Sequence, residues 1–459
     1  MNKRIIKQLE RITGKDGVLK SPEDLAVYGY DGTFMDHCPD IVVLPRSTQQ
    51  VSELVTLASS ERIPVVPRGM GSGLTAASIP SLGGMVLSMT RMNKILEIDE
   101  DNWTAHVQAG VITSDLQESV EKLGFYYPPD PSSNRHSTIG GNIACNAGGP
   151  RCLKYGVTGD YVLGLKVVLA DGRVIRTGGK SIKDVAGYDL NALFTGSEGT
   201  LGVITEAILR LIAKPVHFQT ATVEFPLIED ASNAVNAILK EGIIPAALEL
   251  IDETAISCID EAMQLGLPLD VEAILLVETD GSDAISPLGE IKKAMKICMD
   301  HGARNYSIAK NKEERVILWQ ARNSISPALA RRAPNKLGED ITVPRSAIPE
   351  AIRGLKEISA MHGLPIVIFG HAGDGNLHPN ILFDKRDAGQ SSIVEKMAKE
   401  IFSLAMELGG SLSGEHGIGT LKLPYMKQAL GWASIDFQKS IKRAADPFNI
   451  LNPGKVFPE

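Results

Sequence analysis

Ser137-Thr138-Ile139-Gly140-Gly141-Asn142-Ile143-Ala144-Cys145-Asn146-Ala147-Gly148-Gly149 is the stretch on which the reading of this chain turns. A helix-capable core is hemmed in by glycine pairs at both ends. Gly140, Gly141, Gly148 and Gly149 permit positive φ and close approach of bare backbone to a ligand, and Thr138, Asn142 and Asn146 offer short polar contacts. A flat, phosphate-bearing cofactor fits that description, and so does a glycine-rich surface loop. The rest of the chain has to decide between them.

With 459 residues the chain is long enough for about two or three domains, and its mean hydropathy of +0.00 is that of a soluble globular protein. A formal charge of −8 without a basic run argues against nucleic acid as a partner. The five cysteines are scattered and never form a CxxC pair, so neither a disulfide framework nor an iron–sulfur ligand set is indicated and a reducing compartment is expected. The start is charged with no apolar core behind it, and no apolar run is long enough for a transmembrane segment, so the reading is cytoplasmic.

Outward from the opening stretch, residues 3–13 carry Ile5, Ile6, Leu9 and Ile12 at helical spacing, and Ser21-Pro22-Glu23 reads as a helix cap. A strand at 41–44, a capping box from Ser47 to Gln50, a helix face of Val51, Leu54, Val55 and Ala58, and a strand at 63–66 make a βαβ unit. It runs into Pro67-Arg68-Gly69-Met70-Gly71-Ser72-Gly73-Leu74. A dinucleotide fingerprint of the Rossmann kind needs a long helix next, and Pro80 cuts that short. The loop is therefore read as a nest of backbone N–H groups, with Arg68 nearby, closing on a pyrophosphate. A rigid Pro128-Pro129-Asp130-Pro131 precedes the opening stretch, and a hairpin over 161–177 turns at Asp171-Gly172. A third glycine-rich segment, Gly196-Ser197-Glu198-Gly199-Thr200-Leu201-Gly202-Val203-Ile204, follows.

Beyond Lys214-Pro215 the pattern changes to strands alternating with long amphipathic helices, which marks a domain boundary. A helix over residues 312–329 carries Trp319, Arg322 and Ser326, the last two at i, i+4 on one face; by residue type alone this is a solvated helix face. Strands at 365–369 and 377–383, joined through Asp374-Gly375, form a hairpin that brings His371 and His378 opposite each other. Downstream, Ser411-Leu412-Ser413-Gly414-Glu415-His416-Gly417-Ile418-Gly419 puts a carboxylate beside a histidine in a glycine-bounded turn. His371, His378 and Glu415 suit a metal with coordination positions left open.

Taken in order, the three glycine-rich segments resemble the flavin-contacting segments of the FAD-linked oxidases of the vanillyl-alcohol oxidase type, over nearly the whole chain. The resemblance implies an α+β fold: a two-subdomain FAD-binding domain over 1–215, an α+β substrate or cap domain over 216–415, and a C-terminal segment over 416–459 returning to the FAD domain. It implies cofactor contacts from Arg68, Gly69, Met70, Gly71, Ser72, Gly73 and Leu74, from Pro131, Thr138, Gly140, Gly141, Asn142, Ala144, Cys145, Asn146, Gly148 and Gly156, and from Glu198, Gly199, Gly202, Val203 and Ile204. Many members bond the flavin to a histidine in the first loop; none lies between Arg68 and Thr90, so noncovalent FAD is expected, and His136 reads as an ordinary loop histidine.

Residues 371–380 and Glu415-His416 further resemble the signature of the flavin-dependent D-2-hydroxy-acid dehydrogenases, which act on D-lactate, glycolate or D-2-hydroxyglutarate. That resemblance implies a divalent metal (Zn, Fe or Mn) on His371, His378 and Glu415, His416 as base, Asn380 at the substrate, and a carboxylate grip by Arg322 with Ser326 and Lys336. D-lactate is the substrate expected by resemblance. Because the chain lacks an iron–sulfur set, a membrane segment and a nicotinamide fingerprint, another protein is expected to take the electrons. The resemblance to short members of that group implies an electron-transfer flavoprotein, with an iron–sulfur subunit second and direct reaction with oxygen third. Two alternatives from other classes stay open here: a metal-dependent hydrolase, and a catalytically silent flavin-binding subunit.

Overall fold

The computed structural model describes residues 1–458. The chain forms two compact units, one made of Met1–Gly148, Val157–Lys214 and the chain from Glu415 onward, the other of Gly149–Gly156 and Pro215–Gly414. The inclusion of Gly149–Gly156 in the second unit has no sequence signal. Its cause is electrostatic: Arg151 donates to Glu278 at 3.1 Å, and Lys154 and Tyr155 donate to Asp280 at 2.5 and 2.8 Å.

The first unit is built on two larger sheets, beside a two-stranded pair of Ile212–Ala213 with Phe125–Tyr126. In one, Ile41–Val43, Met85–Ser88 and Val65–Arg68 run parallel, with Val18–Leu19 antiparallel on the edge. Parallel strands need a crossover, which the helix Thr48–Glu61 supplies, with Val51, Leu54, Val55 and Ala58 buried. Ser47 caps that helix by accepting from the Gln50 N–H, while the Gln50 side chain reaches the Arg46 N–H rather than closing the reciprocal box. The other sheet is antiparallel in the order Ile95–Asp99, Thr104–Gln108, Val203–Arg210, Val162–Val168, Val174–Gly178. One apolar cluster joins both sheets, among it Ile41, Val43, Leu87, Val107, Ile139, Ile143, Val167 and Leu209. Each such buried aliphatic side chain contributes about 1.5–3 kcal/mol. The chain end belongs to the same core: Leu451 bridges Val65, and the Lys442 ammonium is buried against Asp446 at 2.6 Å and the carbonyls of Thr200 and Leu451.

The second unit is one antiparallel sheet with the strand order Asn305–Ile308, His217–Phe225, Ala273–Gly281, Ala247–Asp252, Ile366–His371, Asn376–Phe383, Asn335–Gly338; Ile341–Thr342 also pairs with Asn376–Phe383. Cross-strand partners share a face and side chains alternate along a strand, so register assigns every residue. Glu249 pairs with His371, Phe369 with His378, Lys336 with Leu382 and Ala247 with Glu278. One face therefore carries an apolar patch, Ile251, Ile274, Val367, Phe369 and Leu382, packed on the helix Glu253–Met263 and on Ala321, Ile325 and Leu329. The same face carries Glu249 level with His371, His378 level with Phe369, Asn380 level with Val367 and Lys336 level with Leu382, and Glu278 lies on it opposite Ala247. The helix expected over 312–329 is instead two: Lys312–Asn323 and Ile325–Ala328, broken at Ser324, three residues before Pro327. Arg322 and Ser326 are thus not i, i+4 on one continuous helix.

Among the described residues no helix is long and apolar enough to cross a membrane.

Candidate functional site

In the first unit the three glycine segments are packed on one another. The opening stretch folds as a seven-residue helix, Ile139–Cys145, capped by Thr138, whose Oγ1 accepts from the Gly141 N–H, and ended by Asn146 in the left-handed region at φ 52°. Its last carbonyls are satisfied from the third segment: the Gly196 N–H donates to Ile143 at 2.9 Å and the Glu198 N–H to Ala144 at 2.8 Å. The first loop closes on the same cap. A side chain at Gly69 would put its Cβ 2.3 Å from Thr138 Oγ1, so only glycine allows this approach.

Two expected roles change here. The N-terminal amides of the short helix are taken, Ile139 by Val111 and Gly140 by Ala109, so that helix end offers nothing to a phosphate. Arg68 points inward: its buried guanidinium donates to the Tyr30 carbonyl at 2.7 Å and to Ser78 Oγ at 3.1 Å, bracing the loop from beneath. Among the described residues, the N–H groups of residues 69–74 have no acceptor within the chain. Such a run of amides, in which Met70 and Leu74 are exposed, is the chemistry a diphosphate requires, and the cradle fits FAD.

Not every nominated residue faces that cradle. Gly140 and Gly202 are glycines for packing, since a Cβ would lie 2.6 Å from Ala109 Cβ and 2.4 Å from Val167 Cγ1. Asn142 is buried with its amide on Thr113 Oγ1 at 2.8 Å, and Asn146 accepts from the Gly159 N–H at 2.8 Å. Pro131 is buried and its carbonyl holds the Asn134 N–H. Burial first, then the neighbouring Glu198, pushes the Cys145 thiol up to about 12, which removes it as a nucleophile. Val203 and Ile204 open a buried strand, while Gly148 and Gly199 flank the segment ends. Gly156 belongs to the second unit.

Glu198 has a role its position in a glycine loop does not announce. It is fully buried with φ 51°, and its carboxylate accepts from the N–H groups of Ile418 at 2.6 Å and Gly419 at 2.8 Å. Burial raises its pKa, against the opposing pull of those two bonds. Thr75, directly after the first loop, donates to the His416 carbonyl at 3.2 Å and accepts from the Thr420 N–H at 2.9 Å. Gly419 is obligatory in this turn: φ is 53° and a Cβ would lie 1.9 Å from the Thr75 carbonyl. The His416 backbone is thereby fixed by the same segments that form the cradle. Its Nε2 lies 3.8 Å from Glu415.

In the second unit, one sheet face carries His371, His378, Asn380 and Lys336, spread along the strands, with Arg322 reaching it through Glu249. His371 and His378 are diagonal rather than directly opposed, since His371 pairs with Asn376 and His378 with Phe369. Both side chains still reach the same face, with ring centroids 5.0 Å apart and the rings nearly perpendicular. His371 Nδ1 lies 2.7 Å from Glu249 Oε1, which assigns the proton to Nδ1 and the lone pair to Nε2. Glu249 Oε2 accepts from Arg322 Nε at 2.7 Å and Nη2 at 2.6 Å, and Arg322 sits over the Phe369 ring at 5.0 Å. Burial would raise the Glu249 pKa, but His371 and Arg322 outweigh it and hold the carboxylate ionised. Lys336 contacts Ser326 Oγ, and burial lowers its pKa. The Asn380 amide donates to the His378 carbonyl at 2.8 Å.

Sequence reasoning missed two carboxylates here. Glu249 is the one acid in the apolar run 246–251, and that misfit was the available signal. Asp340 had none. It is fully buried, accepts from Asn376 at 2.7 Å, Ser413 Oγ at 2.8 Å and the Gly414 N–H at 2.9 Å, and lies 3.9 Å from His378 Nδ1. It holds the backbone immediately before Glu415. Two imidazoles on one sheet face, one oriented by a buried carboxylate, form a donor set that fits a divalent metal.

Two sheets feeding an amide-lined glycine cradle, with an antiparallel α+β unit, make the build of FAD enzymes of the vanillyl-alcohol oxidase type. The fold matches that of p-cresol methylhydroxylase with a TM-score of 0.82 at 18% identity, over 98% of this chain and 96% of that one. The chain belongs to the FAD-linked oxidases: residues 39–178 match the FAD binding domain and residues 214–456 the FAD linked oxidases, C-terminal domain. It is 46% identical to the glycolate oxidase subunit GlcD of Bacillus subtilis, over 100% of this chain and 97% of the relative. It is 37% identical to the D-lactate dehydrogenase of Archaeoglobus fulgidus, over 91% of each.

Proposed function

We propose that this protein is an FAD- and metal-dependent dehydrogenase that oxidises a short D-2-hydroxy acid to the 2-oxo acid. The observation that supports the reading is one sheet face on which the His371 and His378 rings lie 5.0 Å apart and Arg322 is tied to His371 through Glu249. Arg322 takes the substrate carboxylate: Glu249 engages the Nε side of its guanidinium, and the end-on fork of Nη1 with the second Nη2 hydrogen remains for a bidentate grip. Lys336 and Ser326 add cationic and hydroxyl contacts, and Asn380 orients the substrate.

His371 and His378, with Glu415, hold the metal. Zn, Fe or Mn in such a site acts as a Lewis acid that lowers the pKa of the substrate hydroxyl. His416 takes the hydroxyl proton as general base. Noncovalent FAD, held by the amides of residues 69–74, supplies a two-electron acceptor for the C2 hydrogen transferred as hydride. The electrons then pass to a partner protein, an electron-transfer flavoprotein in the favoured reading and an iron–sulfur subunit in the second. Five cysteines without a disulfide agree with a cytoplasmic setting.

D-lactate is the favoured substrate, as for the Archaeoglobus relative. Glycolate is the second reading, supported by the name of the Bacillus relative at 46% identity. Anaerobic mixing of the flavin-loaded protein with D-lactate, L-lactate, glycolate and D-2-hydroxyglutarate tests the proposal. Bleaching by D-lactate with a higher kcat/KM than glycolate supports it; preference for L-lactate overturns the stereochemistry, and absence of bleaching by all four overturns the dehydrogenase reading.

A further inference from the structure

Arg322 and His371 belong to different elements and, in the function proposed above, to different tasks. The structure nonetheless gives them one counter-charge. Glu249 is wholly buried, and each of its oxygens serves one of the two: Oε1 meets His371 Nδ1 at 2.7 Å, and Oε2 accepts both Arg322 bonds at 2.7 and 2.6 Å. The first contact is imposed by the sheet, because Glu249 and His371 are directly paired across neighbouring strands. The second sets the helix that carries the arginine, since the guanidinium is pinned between this carboxylate and the Phe369 ring. Phe369 is itself two residues before His371 on the same face.

We infer that Glu249 is a positioning residue that couples the two halves of substrate recognition, orienting the metal-ligating imidazole of His371 and the carboxylate-gripping fork of Arg322 through one side chain. A carboxylate serving only to neutralise a buried arginine has no need of a second partner on its other oxygen, nor of a partner whose remaining nitrogen is a ligand. Moving either partner moves the other. Metal affinity and affinity for the substrate carboxylate are therefore linked in this protein, and a bound metal makes the acid bind more tightly through His371, Glu249 and Arg322 even when the acid bears no hydroxyl.

This inference rests on the proposed roles of His371 and Arg322, and the test separates the two. FAD-loaded wild type, Glu249→Gln and Glu249→Asp are compared by flavin content, melting temperature, cobalt(II) binding in equilibrium dialysis after chelation, and competitive inhibition by propionate, which has the carboxylate but no hydroxyl. With full flavin content, Glu249→Gln is expected to weaken cobalt by about 10–100-fold and propionate by roughly tenfold, together. Either affinity remaining at the wild-type level overturns the coupling. Should Glu249→Gln fail to fold, because the guanidinium loses its counter-charge, Glu249→Asp decides. It keeps the charge but is one methylene too short for both partners, so loss of both affinities supports the inference and retention of either overturns it. Wild type that binds neither cobalt nor propionate overturns the site assignment itself, whatever the variants do.

Discussion

Glu278→Gln removes the charge at the centre of the most heavily engaged carboxylate in the second unit. Glu278 has no exposed surface and accepts from Arg151 at 3.1 Å, Arg315 at 2.7 and 3.0 Å, Trp319 at 2.7 Å and Thr220 at 2.7 Å. Burial alone would raise its pKa, but Arg151, Arg315 and Trp319 outweigh it and hold the group down to about 2 against an ordinary 4.5. That gap is worth about 3 kcal/mol of stability. Because the folded value is depressed, the contribution is complete above the unfolded value and is lost as pH falls toward 2. For a unit of this size each kcal/mol moves the melting temperature by about 2–4 °C, so the variant is expected to melt roughly 6–12 °C below wild type near pH 7. At pH 3 the difference is expected to shrink to roughly half. Arg315 and Trp319 lie on Lys312–Asn323, which also carries Arg322, and Arg151 anchors Gly149–Gly156. Hydrogen exchange in those two segments should quicken and KM for the acid rise. A shift under about 2 °C at pH 7, or one as large at pH 3 as at pH 7, would refute the reasoning.

His416→Ala should keep its flavin while anaerobic reduction by D-lactate slows by about 10²–10⁴-fold, and an undiminished rate removes His416 as the base. Chelation should abolish turnover and Zn, Mn or Fe(II) should restore it; full activity in protein shown to be metal-free excludes the metal's role. Glu198→Ala leaves the Ile418 and Gly419 amides without their acceptor, at a cost of about 2–4 kcal/mol. It should lower kcat more than it raises KM, and unchanged kcat would show that the turn holds without it. Acid precipitation should release the flavin into the supernatant, and yellow pellets would disprove noncovalent binding.

Much of the first unit could be read locally, because its elements are specified by short-range chemistry. Ile41–Val43 and the start of Val65–Arg68 are apolar and bracket a capped helix, and two strands that both lie parallel to Met85–Ser88 in a buried sheet demand that pattern. The glycine segments stood out for the same reason, as backbone approach tolerates no side chain. Which glycines serve a ligand was another matter. Gly140 and Gly202 look like their neighbours in the sequence, yet they face Ala109 and Val167, residues brought to them by other strands. Arg68 is a similar case, since the acceptors of its guanidinium, at Tyr30 and Ser78, lie on other segments.

The sequence by itself determined the class of fold and the places of its glycine-rich turns, and it nominated a loop for a diphosphate and two histidines with a carboxylate as ligands, because residue type, turn chemistry and spacing are local properties. The second unit's site was decided in three dimensions. Strand register put His371 beside Asn376 instead of opposite His378, and the period of two then returned both imidazoles to one face. Glu249 and Asp340 became visible only there. A buried carboxylate is stable only where the fold brings it cations and N–H groups from distant segments, and those partners, Arg322 and His371 for one, Ser413 and Gly414 for the other, are set by tertiary packing and not by neighbours in the chain.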